Sequence, residues 1–237
     1  MRIFTTIFLF YTIIYSQESI DDKNQSLFLQ AMRYERSGNI LKSEDIYKRI
    51  LNNQPSHQPS FFQLKNIYSK NNNIESGIEL INQWLLYNPT DYQTMLSLGE
   101  FYFKNQEKTK ANEIWDDFRD NKLSNKTMYR LLFHTYVKFG QTESMEFLSE
   151  KGRKEFNEPY FLAIDLASYY QSRQSYERSL QELMILIRHQ KQYLRYATDR
   201  ILLMSDDISS HSLIDSTLNA NIDINETMRE VLGGFYY

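Results

Sequence analysis

From residue 25 to residue 189 the chain alternates polar turns with stretches of 13 or 14 residues in which apolar side chains return every third or fourth position. That spacing predicts amphipathic α-helices, each with one face to bury. The turns are two residues long, then five or six, then two again, so the helices come in pairs. Adding 34 to a residue number carries each pair onto the next, which is the mark of stacked supersecondary units. First helices are predicted at Gln25–Ser37, Pro59–Asn71, Gln93–Asn105, Thr127–Phe139 and Phe161–Arg173. Second helices are predicted at Ile40–Asn53, Ile74–Tyr87, Lys108–Asp120, Thr142–Lys154 and Tyr176–His189.

Each first helix carries a tyrosine in one register: Tyr34, Tyr68, Tyr102, Tyr136 and Tyr170. Four residues earlier stand Leu64, Leu98, Leu132 and Leu166, with Gln30 the odd member, and an i, i+4 pair shares a helical face. On that basis Tyr102→Ala would remove a core aromatic. Second helices repeat Tyr47, Ile81, Trp115 and Leu183, then Ile50, Trp84, Phe118 and Leu186 three residues on, so both tryptophans read as core. The turns agree. Gly38-Asn39, Asn72-Asn73 and Gly140-Gln141 tolerate the left-handed backbone that ends a helix. Pro55 and Pro89 stop second helices, and Pro159 stands where a proline opens a first helix.

The units resemble tetratricopeptide repeats. The third reads Met95, Leu98-Gly99, Tyr102, Ala111, Trp115 and Phe118 where the family has a large residue, Leu-Gly, Tyr, a small residue, an aromatic and a further apolar residue. The resemblance covers five units, 24–57, 58–91, 92–125, 126–159 and 160–191. It implies an all-α fold, a right-handed superhelical solenoid of antiparallel helix pairs whose first helices form a concave, peptide-binding surface. The fourth unit departs most: Phe133 and Met145 replace small residues, and Ser149 and Gly152 stand at apolar positions. It reads as a weak joint whose second helix slips by one residue to bury Ser144 and Leu148. A divergent sixth hairpin is expected over 192–221, and over 225–237 the first helix of a truncated seventh repeat, because Leu232-Gly233-Gly234-Phe235-Tyr236 repeats the Leu98–Tyr102 motif. An end left uncapped there is a possible surface for self-association.

Residues 1–16 change the picture of where the chain works. Met1-Arg2, an uncharged run over residues 3–15 and a polar segment have the layout of a signal peptide. The run would cover about 20 Å as a helix, against a hydrocarbon core of roughly 30 Å, which favours a cleaved leader and export to a periplasmic or secreted location. An uncleaved leader, tethering the chain to a membrane, is the alternative. The net charge of −3 offers no field for phosphate backbones, so nucleic acid is not an expected partner. With no cysteine, disulfides and thiolate chemistry are excluded.

Catalytic chemistry finds no foothold. His57, His134, His189 and His211 are scattered without metal-ligand spacing, and no phosphate loop or nucleophile elbow is present. No cofactor, metal or enzyme activity is expected. Asn24, Asn125 and Asn225 head glycosylation sequons, which count only in a host that glycosylates exported proteins. The predicted concave surface carries more information. One stripe reads Phe28, Phe62, Leu96, Arg130 and Ile164; another reads Arg36, Lys70, Lys104 and Lys138. Together they suggest a groove with an apolar floor and a basic edge, suited to a partner protein's peptide or helix bearing acidic and apolar residues. Two blander readings stand beside this one. A lysine in a last turn is favoured by the helix dipole without any ligand, and the phenylalanines can pack between neighbouring helices. The lysine, asparagine and arginine set with which some tetratricopeptide proteins clamp a carboxylate tail is not supplied by three consecutive units. The expected role is a non-catalytic protein-interaction scaffold; the alternatives are a docking arm for an envelope enzyme or transport component whose active domain lies beyond Tyr237, or a structural spacer.

Overall fold

The computed structural model describes residues 22–221 and Gly233. The leader and the 225–237 segment therefore lie outside the described residues. Twelve α-helices are described. They are α1 (residues 22–36), α2 (Ile40–Asn53), α3 (Gln58–Lys70), α4 (Ile74–Tyr87), α5 (Tyr92–Lys104), α6 (Lys108–Asn121), α7 (Lys126–Lys138), α8 (Thr142–Phe156), α9 (Ala163–Ser172), α10 (Tyr176–His189), α11 (Leu194–Ser205) and α12 (His211–Asn221). The chain forms two compact units, residues 1–121 with α1–α6 and residues 122–237 with α7–α12. Within each, consecutive helices pack as antiparallel hairpins, an all-α tetratricopeptide-like fold. Three-residue 3-10 turns, Lys191–Tyr193 and Ile208–Ser210, precede α11 and α12.

The 34-residue register is visible in the backbone. Gly38, Asn72, Gln106, Gly140 and Gln174, each 34 residues after the last, adopt left-handed φ between 56° and 79° at the tip of their hairpins. Glycine does this freely, whereas a residue with a Cβ pays about 1 kcal/mol or more. Gln106→Gly and Gln174→Gly are accordingly expected to raise stability by roughly 1 kcal/mol each, read as a higher urea midpoint at unchanged slope.

The cores follow the predicted faces with one rotation. In the 1–121 unit, Tyr47, Ile50, Phe61, Leu64, Ile81 and Trp84 form a continuous apolar cluster, with the Phe61 and Trp84 rings stacked at 4.1 Å. Helix α5 buries Leu96, Gly99 and Phe101 while Leu98 and Tyr102 are only half-buried. Phe101 closes on Gly77 of α4 from one side, and from the other the helix meets Trp115. Its indole fills the space beside Gly99, where an added Cβ would stand 2.3 Å from Nε1, and Nε1–H donates to the Leu96 carbonyl at 3.2 Å. Asp91 fixes the start of the same helix. Its carboxylate accepts from Thr94 N–H at 3.1 Å and from Trp84 Nε1–H at 2.8 Å, joining the second hairpin to the third.

The fourth hairpin does not slip. Met145, Ser149 and Gly152 keep the register and are buried, Leu148 is buried with them as expected, and Ser144 is only half-buried. Ser149 is satisfied by donating to the Met145 carbonyl at 2.8 Å. Gly152 leaves room for an aromatic: a Cβ there would lie 2.6 Å from the Phe161 ring. Helix α9 then starts at Ala163, two residues later than the pattern predicts, after a loop in which Asn157 and Leu162 have left-handed φ of 52° and 62°.

The second helices of the two units carry a related contrast. In the 1–121 unit Leu51 and Leu80 line a cavity of about 230 Å³ beside Leu64 and Tyr68. Moving 102 residues on, Leu166 and Tyr170 line a cavity of about 200 Å³ in the 122–237 unit, and the two leucines have become Arg153 and Glu182. These form an ion pair whose side chains are 19% and 12% exposed. Burial pushes the Glu182 carboxyl up, while the hydrogen bond from Arg153 pulls it back down.

Candidate functional site

The proposed interface residues divide between the units. Arg36, Lys70 and Lys104 each end a first helix in the 1–121 unit and are exposed. There the C-terminal dipole supports a cation. Lys104 Nζ donates to Ser69 Oγ at 2.8 Å and lies 5.7 Å from the Phe101 ring, which sets the end of α5 against the end of α3. Among the described residues, none of these three cations forms an ion pair.

The apolar stripe is only partly on the surface. Phe28 and Phe62 are half-buried. Phe28 packs on Tyr47 and His57 with ring centroids 5.7 Å away, and Phe62 lies on Phe61 at 5.4 Å with Lys65 Nζ over it at 5.1 Å. Each offers an edge to solvent while contributing to the core. Leu96 does not line a groove. It is 1% exposed, drawn inward by the rotation of α5 towards Trp115.

In the 122–237 unit, Lys138 ends α7, exposed, with Nζ over the Phe139 ring at 5.4 Å. Arg130 is exposed on α7, and its guanidinium lies over the Phe161 ring at 5.6 Å. Arg130 and Ile164, from the predicted stripe, both line a pocket of about 300 Å³ formed by α7, the loop before α9, and the turn after α10. Sequence reasoning did not find this pocket, because it depends on the delayed start of α9.

The loop is held from several sides. Arg153 Nε–H donates to the Phe161 carbonyl at 3.2 Å while its guanidinium pairs with Glu182. Lys126 pairs with Glu158 at 2.5 Å, and Phe161 N–H donates to the Glu158 carbonyl at 2.9 Å. Leu162 is 4% exposed and left-handed, a conformation costing a leucine roughly 1–2 kcal/mol. Strain of this kind persists only where the surroundings over-determine it, and it concentrates at ligand sites.

Other chemistry is sparse. Among the described residues no group of three or more His, Asp or Glu could hold a metal ion. Of the described helices, none is long and apolar enough to cross a membrane. His134 is exposed and edge-on to Phe133. The first two sequons differ: Asn24 is 2% exposed and donates to Gln54 Oε1 at 3.0 Å, whereas Asn125 is exposed and caps α7.

No protein-family profile matches the chain. No curated protein matches it either. Solved structures do show similar helical folds. PilF of Pseudomonas aeruginosa aligns over 91% of this chain and 99% of its own at 11% identity, with a TM-score of 0.47. YrrB, a tetratricopeptide protein described as having an unusual peptide-binding site, aligns over 81% of this chain and 98% of its own at 10% identity, with a TM-score of 0.38. At these scores neither likeness extends to function.

Proposed function

We propose that the chain is an exported, non-catalytic scaffold whose 1–121 unit holds a peptide or helix of a partner protein bearing acidic and apolar residues. The observation that carries this reading is the set of exposed cations without ion pairs that end first helices, Arg36, Lys70 and Lys104, in a unit whose α1 and α3 also carry half-buried Phe28 and Phe62. An acidic partner pairs with these cations while the partly exposed aromatic rings supply apolar area. Export rests on the leader-like layout of residues 1–16.

The test uses the mature chain from Gln17 as bait in its native host, beside the triple variant R36E/K70E/K104E. Loss of the recovered partner in the variant, and weakening of wild-type recovery by salt, are expected. Identical recovery by both proteins overturns the reading. The N-terminus of the native protein checks export: a start near Gln17 is expected, and an intact Met1 contradicts cleavage.

A further inference from the structure

The pocket around Arg130 has features that the basic row does not. A guanidinium lying over an aromatic ring keeps its in-plane N–H donors clear of that ring, ready for a bidentate acceptor. None of the described residues accepts a hydrogen bond from Arg130 or pairs with it. Of the two acids on the wall, Glu158 is taken by Lys126, and Asp165 sits in the first turn of α9, where the helix dipole favours it. Ile164 supplies an apolar surface, and Gln190 and Gln192 supply amides. A volume of about 300 Å³ suits one or two side chains of a larger ligand.

We propose that this pocket is a peptide subsite that reads an acidic residue followed by an aliphatic one. Arg130 takes the carboxylate, Ile164 receives the aliphatic side chain, and Asp165 accepts a backbone N–H of the peptide. Gly152 matters because it seats Phe161, the floor on which the guanidinium rests. What looked like a defect of the fourth repeat is then part of the site. The pocket lies wholly within the 122–237 unit and stands or falls apart from the basic row.

The probe is N-acetyl-glutamyl-leucinamide, titrated into the ¹⁵N-labelled full chain and followed by amide and arginine Nε–H resonances. Saturable shifts are expected at Arg130 and around residues 160–165. N-acetyl-glutaminyl-leucinamide should bind about tenfold more weakly, the difference a charge-assisted fork makes. In R130Q, an exposed position whose change leaves the fold intact, the two probes should bind equally. Equal affinity for both probes in the wild type, or shifts that do not saturate, overturns the proposal, as does retained discrimination in R130Q. Loss of the partner in the triple variant of the basic row has no bearing on these readouts.

Discussion

Trp115→Ala is expected to destabilise the 1–121 unit by about 3–5 kcal/mol, the range for truncating a buried aromatic. Trp115 is fully buried, packs on Gly99 and donates to the Leu96 carbonyl. Its loss opens a hole between α5 and α6, and the neighbouring glycine has no side chain with which to refill it. Tyr102→Ala is the control. Because Tyr102 is half-buried, its truncation should cost less than about 2 kcal/mol on area grounds. Urea unfolding followed by far-ultraviolet circular dichroism measures both. Equal losses would show that the rotation of α5 is wrongly placed.

Arg153→Leu is the second large effect. Breaking a buried ion pair by removing one partner costs about 3–5 kcal/mol, because the remaining charge is left without compensation. Here Glu182 stays behind, and the Phe161 carbonyl loses a donor. The double variant R153L/E182L recreates the Leu51 and Leu80 arrangement of the other unit, and it should recover to within about 1 kcal/mol of wild type. The sign of the pH dependence follows from the raised Glu182 carboxyl. The native state binds that proton more tightly than the unfolded chain, so the contribution of Glu182 to stability falls as pH rises above its unfolded value. Without Arg153 the carboxyl rises further, so the Arg153→Leu deficit should be larger near about pH 7 than near about pH 5. A pH-independent deficit would place the cost in packing alone.

The hairpins could be read from the chain because both of their signals are local. Apolar spacing placed α2, α4 and α10 at their observed ends, and the 34-residue period put Trp115 and Leu183 in the core, whereas Met145 is buried against the expected slip. Gln106 and Gln174 share the left-handed backbone of Gly38 and Gly140 in the structure, although the turns singled out from the sequence included neither. What stayed hidden depends on contacts between elements. Leu96 belongs to a surface stripe by register and to the core by the packing of α5 on Gly77 and Trp115. Arg153 and Glu182 look like two solvated charges until helices 29 residues apart in sequence are set side by side. The turn at Leu162 carries no local signal, since a leucine is a poor choice for that backbone.

Both tryptophans, Trp84 at the Asp91 joint and Trp115 beneath Gly99, belong to the 1–121 unit, and the 122–237 unit has none. The molecule is therefore optically lopsided. Indole emission reports on one unit only, whereas circular dichroism reports on the helices of both. If the two signals change together as urea is added, the units unfold as one cooperative body; if the indole signal moves at a different concentration, they unfold independently. The two cases can be told apart without attaching a dye or altering a residue.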